Sequence, residues 1–227
     1  MQNRTFEEKR GCLIQALEAQ GIIRTSDVKR AMGSVPREMF LPEDVKVSAY
    51  VDSPLPIGSR QTISAPHMVA MMAEALELKV GHKILEVGSG CGYHAAVLAE
   101  IVAPKNVENK GHIYTVEIIP DLFAFAKRNL EVAGYSNIVT TILGDGSVGC
   151  PEFSPYDRIS VTAASPRIPA ALIEELKVGG IIVIPVGGAN FYQELIKARK
   201  ESENKLVTQK LFNVAFVPLT GKEGWKV

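Results

Sequence analysis

Ile84-Leu85-Glu86-Val87-Gly88-Ser89-Gly90-Cys91-Gly92 reads as an apolar strand running directly into a glycine turn, and the helical spacing of Tyr93 to Ala103 follows at once. Glycines at such a turn let the backbone take positive φ and come close to a ligand. Outward from this unit the alternation repeats. The strand at Lys83 to Val87 is followed by strands expected at His112 to Val116, Ile138 to Leu143, Arg158 to Thr162 and Ile181 to Pro185. Helices are expected among them at Asp121 to Ala133 and at Pro169 to Leu176, the second closed by Gly179-Gly180. This pattern predicts an α/β fold: a doubly wound, mostly parallel, Rossmann-like sheet with right-handed crossovers. Then it breaks. Tyr192 to Lys200 and Leu206 to Pro218 read as two long strands joined by Ser202-Glu203-Asn204, an antiparallel C-terminal hairpin at the sheet edge.

Toward the N-terminus, Phe6 to Ala19 carries apolar residues at helical spacing, and Thr25-Ser26-Asp27 offers caps for a short helix through Val28 and Met32. From Val35 to Ser64, Pro36, Pro42, Pro54, Pro56 and Gly58 interrupt every pattern. The apolar residues Met39, Phe40, Leu41, Leu55 and Ile57 predict that this irregular stretch is an ordered wrap. A helix then runs from Ala65 to about Leu78, with Pro66 in its first turn, where a missing N–H costs nothing. At 227 residues and 46% hydrophobic side chains, the chain can bury one α/β core. The expected organisation is a single domain over 1–227. It has N-terminal helices and a substrate-cleft segment at 1–80, and a cofactor-binding core with the terminal hairpin at 81–227.

Lys+Arg and Asp+Glu both number 25, so no excess of positive charge points to a nucleic-acid partner. The charged N-terminus lacks the apolar stretch of a secretory signal, and no run of residues is long and apolar enough to span a membrane. Cys12, Cys91 and Cys150 show no metal or redox spacing, and His67, His82, His94 and His112 form no ligand pattern. A cytoplasmic monomer without metal, membrane or nucleic-acid partner is the expectation.

Three features at successive strand ends carry the chemistry. The loop has the spacing Gly-x-Gly-x-Gly rather than the Gly-x-Gly-x-x-Gly of a pyrophosphate site. Glu117 ends the next strand, where doubly wound folds place a carboxylate against ribose hydroxyls. Asp145-Gly146 follows the third, where a carboxylate can accept from an adenine amine or simply form a turn. Together they point to an adenosine cofactor. The glycine spacing and the terminal hairpin, a methyltransferase arrangement, favour S-adenosylmethionine over NAD.

Asp52-Ser53-Pro54-Leu55-Pro56-Ile57-Gly58 and Gln61-Thr62-Ile63-Ser64-Ala65-Pro66-His67-Met68 resemble the protein-L-isoaspartate O-methyltransferase family. The resemblance runs from about Gly21 to Leu219. It takes in Leu85 to Gly90, Gly144-Asp145-Gly146, Pro155-Tyr156-Asp157, Val161 to Ala164, Lys177 to Gly180 and Phe216-Val217-Pro218-Leu219. It implies methylation of the free carboxylate of L-isoaspartyl residues in damaged proteins, beginning repair through a succinimide. It further implies that Thr62 and Ile63 lie over the cofactor, that Ser64 meets the substrate carboxylate and that Thr220 lies near the cofactor. One departure stands out: Arg60 occupies a place where many members carry glycine, and a cation there either attracts an acidic peptide or simply points into solvent, the second reading being favoured.

Ser64, at the start of a helix, can seat a carboxylate with its hydroxyl and the free N–H groups, or it can cap the helix. In the expected division of labour Gly88, Ser89, Gly90, Glu117, Asp145 and Gly146 hold the cofactor, and Glu86 helps to place its methionine ammonium. The wrap from Val35 to Ile57 and a strand from Val214 to Leu219 wall the peptide cleft. Three other readings are weighed against this one. A base-modifying methyltransferase usually shows Asn/Asp-Pro-Pro-Tyr where this chain has Thr162-Ala163-Ala164-Ser165, and an NAD oxidoreductase needs the other glycine spacing. A non-enzymatic adenosine-binding module would bind cofactor without transferring methyl.

Overall fold

In the computed structural model, which describes residues 4–108, 110–189 and 192–226, helix α1 (Phe6–Ala19) opens on a capping box. Its Thr5 side chain accepts the Glu8 N–H, and the Glu8 carboxylate accepts the Thr5 N–H. Helix α2 (Ser26–Ser34) starts on Thr25, whose hydroxyl accepts the Val28 N–H. The stretch expected to be irregular is more regular than its prolines suggest. Two 3-10 turns, Arg37–Phe40 and Glu43–Ser48, lead to an antiparallel pair, β1 (Leu55–Gly58) and β2 (Gln61–Ile63). Pro56 is tolerated because a two-stranded ribbon leaves open edges where no ladder N–H is needed.

Helix α3 (Pro66–Ala75) stops short of Leu78, because Glu77 turns left-handed at φ 50°. From there the alternation holds: β3 (Lys83–Val87), α4 (Tyr93–Val102), β4 (His112–Glu117), α5 (Pro120–Val132), β5 (Val139–Leu143) and β6 (Tyr156–Val161). One short helix, α6 (Ala170–Glu174), precedes the long strand β7 (Leu176–Gly187), and β8 (Gln193–Ser202) and β9 (Lys205–Val214) complete the sheet. Two expectations need correction here. Gly179-Gly180 does not cap a helix but lies inside β7, where the pairing with β6 shifts register and Gly179 sits at φ 82°. And β9 ends at Val214, not Pro218, because the chain leaves the sheet edge there.

The seven strands lie in the order β5-β4-β3-β6-β7-β8-β9, parallel from β5 to β7 and antiparallel through β8 and β9. Neighbouring residues of β3 face opposite ways, so Ile84 joins the core on one face and Leu85 the core on the other. Helix α4 is buried along almost its whole length, held between the sheet and the N-terminal helices. This layering puts the carboxyl ends of β3, β4 and β6 at one edge, at the point where strand order reverses.

Candidate active site

At that edge an open cleft is lined mainly by four separate stretches of chain, with Val69, Gly146, Thr162 and Ala163 between them. The stretches are Gln61 to Ser64, the glycine loop with the start of α4, the end of β4 with the start of α5, and Val217 to Thr220. Of the expected site residues, Thr62, Ile63, Ser64, Gly88, Ser89, Gly90, Glu117, Gly146 and Thr220 line it together. Glu86 and Asp145 do not.

The loop is shaped by close packing. Gly88 has φ 96°, and a Cβ there would fall 2.4 Å from Thr162 Oγ1, which donates instead to the Gly88 carbonyl at 2.7 Å. A Cβ on Gly146 would fall 2.7 Å from Val87, so the floor of the cleft has to stay bare. Glu117 is buried and braces the loop, its Oε2 accepting the Gly90 N–H at 2.9 Å and its Oε1 the Ile119 N–H at 3.0 Å. Burial pushes its carboxyl above the ordinary range, the charge of Glu86 adds to this, and the backbone N–H bonds oppose it. A bare floor beside a carboxylate with spare lone pairs suits an adenosine group: the carboxylate can accept ribose hydroxyls while the backbone lies flat against the ligand.

Glu86 is fully buried under the loop. Its Oε2 accepts a short hydrogen bond from Thr115, whose hydroxyl is 2.7 Å from that of Ser89. His94 Nδ1 lies 3.0 Å from Glu86 Oε1, out of line for a well-directed bond. Glu86 therefore touches the cleft only through Ser89 and His94, both of which line it. Asp145 is turned to the C-terminal segment instead. Its Oδ1 accepts from the Ser147 N–H and hydroxyl at 2.9 and 2.6 Å, its Oδ2 from the Lys222 N–H at 2.7 Å. Burial pushes its carboxyl up, but these bonds outweigh burial and hold it below the ordinary aspartate range.

Ser64 is not the helix cap. That position belongs to Ala65, which makes no side-chain cap bond, and the His67 N–H is taken by Asp52 Oδ1 at 2.9 Å, with His67 Nδ1 at the same distance. The half-buried Ser64 faces the cleft without a capping duty.

The far wall is held by Gln193, which is buried. Its side chain donates to the Phe216 carbonyl at 3.0 Å and accepts the Phe216 N–H at 2.6 Å. The next residues run beside Ala164, with the Ala164 N–H donating to Val217 and the Leu219 N–H to Ala164, each at 2.8 Å. So the expected strand from Val214 to Leu219 is a bridge to the loop after β6, not an edge strand.

The sequence reading did not single out Cys91, Tyr93, His94, Ile118, Ile119 or Leu122, which also line the cleft. Ile118 is 39% exposed, and an exposed aliphatic directly after a strand-end carboxylate is the signal that was available. Cys91 is no nucleophile, since burial pushes its thiol up to about 11. Among the described residues no group of three or more His, Cys, Asp or Glu could hold a metal ion, and no helix is long and apolar enough to cross a membrane.

Comparison with known proteins follows the same lines. The pattern of the protein-L-isoaspartate(D-aspartate) O-methyltransferase family matches residues 8–224. Protein-L-isoaspartate O-methyltransferases of Hyperthermus butylicus and Pyrococcus horikoshii are 54% and 48% identical to the chain. They cover 97% and 100% of it, and 92% and 99% of the relatives themselves. A Plasmodium falciparum structure described as a protein-L-isoaspartate O-methyltransferase in complex with S-adenosyl-L-homocysteine superposes with a TM-score of 0.81. Its identity is 27%, over 96% of this chain and 99% of that one. A second solved protein-L-isoaspartate O-methyltransferase gives a TM-score of 0.85 at 31% identity, over 95% of this chain and 67% of the other.

Proposed function

The chain belongs to the protein-L-isoaspartate(D-aspartate) O-methyltransferase family and methylates isoaspartyl residues of proteins with S-adenosylmethionine, and from that premise we propose how its own residues divide the task. The observation that carries the assignment is the meeting of Thr62 to Ser64, the glycine loop, Glu117 and Val217 to Thr220 in one cleft. Glu117 accepts the ribose hydroxyls while bracing Gly90, and the backbone of Gly88 to Gly90 lies against the cofactor. Thr62, Ile63 and Thr220 close over it from the two walls. Ser89 meets its methionine end, with Glu86 acting through Ser89 and Thr115 rather than by contact. Gly146 keeps the floor flat for adenine, and Asp145 fixes the neighbouring C-terminal segment.

Bound S-adenosylmethionine supplies an electrophilic methyl group on a sulfonium. The nucleophile is the free carboxylate of the isoaspartyl residue, already ionised at neutral pH, so the protein has no base to provide. Ser64 donates its hydroxyl to one carboxylate oxygen and so aims the other. The apolar walls Ile63, Val217, Pro218 and Leu219 keep water from competing and leave orientation as the main source of rate. The methyl ester then closes to a succinimide outside the enzyme, which begins repair. One face of the sheet shares its core with the N-terminal helices, which supports a single domain over the whole chain. We read the working form as a cytoplasmic monomer without nucleic-acid or membrane partner, in keeping with the balanced charge of 25 Lys+Arg against 25 Asp+Glu.

Transfer of labelled methyl to paired peptides tests this. An isoaspartyl peptide should react at least about a hundred-fold faster than its aspartyl isomer, because misplacing the nucleophilic oxygen by about an ångström costs that much. Its label should appear as methanol at neutral pH without further enzyme. Equal rates on the two isomers, or a product stable to mild base, would overturn the assignment of substrate.

A further inference from the structure

Resting on that reading of the cleft, we propose that Arg60 is a specificity residue that favours isoaspartyl peptides with acidic residues beside the modified one. Strands β1 and β2 are joined by two residues, Ser59 and Arg60, with Gly58 paired to Gln61 across the turn. Their φ values are 48° and 58°, both left-handed. A two-residue turn of this hand matches the twist of a hairpin, and Asn and Gly ordinarily fill it. A long side chain there is held against backbone strain, and such strain collects at ligand-contacting sites.

Among the described residues no side-chain contact of Arg60 offsets the strain. Arg60 is exposed, and no ion pair among the described residues includes it. The next residue, Gln61, begins the run to Ser64 that lines the cleft, so the turn stands at the rim. Among the described residues no Lys or Arg lines the cleft itself, and the molecule has no net charge to steer a peptide from afar. The guanidinium that the turn holds out thus stands on the rim, just ahead in the chain of Ser64, the residue that meets the substrate carboxylate. A planar guanidinium pairs with a carboxylate through two parallel hydrogen bonds, and a neighbouring acidic side chain of an extended peptide is the partner of that chemistry.

The test uses three isoaspartyl peptides of one length, flanked on both sides by Glu, Gln or Lys, with initial rates for the parent, Arg60→Gly and Arg60→Glu. An exposed pair changes affinity about two- to five-fold, so the parent should prefer Glu to Gln and Gln to Lys by steps of that size, in KM rather than kcat. Arg60→Gly should level the series while keeping kcat on the Gln peptide and melting no lower, since glycine relieves the turn. Arg60→Glu should reverse the order. The preference should also fade at about 1 M salt, where screening acts within about 3 Å. No charge preference in the parent, or the parent's order kept in Arg60→Glu, overturns the proposal while leaving the isoaspartyl reading intact. A parent inactive on all three peptides would bring down both.

Discussion

Ser64 and Glu117 line the same cleft, yet the fold asks different things of them. Glu117 is fixed by two backbone N–H groups, and Ser64 is spared the capping duty its position suggests. Their replacement should therefore separate binding from turnover. Glu117→Ala is expected to weaken S-adenosylmethionine binding by roughly 1.5 to 3 kcal/mol, the range for lost charge-assisted hydrogen bonds. Ser64→Ala should leave that affinity nearly untouched and lower methyl transfer about ten- to a thousand-fold, as for one oriented donor in a dry site. Calorimetric titration beside initial rates reads both. A Glu117 variant with parental affinity, or a Ser64 variant with full turnover, would remove that residue from its role. The pH dependence has a definite sign. Because Glu117 is held above the ordinary glutamate value of about 4.3, it takes up a proton earlier as pH falls, and cofactor affinity should drop while exposed carboxylates are still ionised.

At the scale of elements, the parallel strands and their helices were legible because a strand buried on both faces reads as a continuous apolar run. The small hairpin β1–β2 was not, because Pro54, Pro56 and Gly58 are local breakers that the turn geometry at Ser59-Arg60 overrides. Nor was the departure of the chain at Val214. That turn depends on Gln193, a polar residue whose burial against Phe216 no periodicity announces. The same limit applies to the site: strand-end position pointed to Glu117, which lines the cleft, but it could not show that Asp145 spends its lone pairs on Ser147 and Lys222. Asp145→Ala should free the segment from Val217 onward. Hydrogen exchange at residues 217–226 should quicken and the peptide KM should rise, with most of the β-sheet unchanged. Unaltered protection there would show that Gln193 and Ala164 hold the wall alone. The acid limb follows from the lowered carboxyl: this tether is complete above the ordinary aspartate value and is lost as pH falls through the depressed one.

For the molecule as a whole, the cleft is assembled from stretches near residues 61, 88, 117 and 218, so no part of the chain that stops short of residues 61–220 holds every wall. Unfolding should accordingly be a single transition. S-adenosylhomocysteine at about a hundred times its Kd should raise that transition as one, by about 2.7 kcal/mol or roughly 5 to 10 °C. Two transitions with only one displaced would argue for two domains instead. The tether at Asp145 also bears on the enzyme's own chemical ageing. Asp145-Gly146 is the linkage in which an aspartyl side chain isomerises most readily, because the following amide carries no side chain to hinder its attack. Attack needs a carboxyl that is protonated and free to swing toward that amide. Here it is kept ionised and pinned from two sides by Ser147 and Lys222, so the bonds that hold the cleft wall also shelter the repair enzyme from the lesion it repairs.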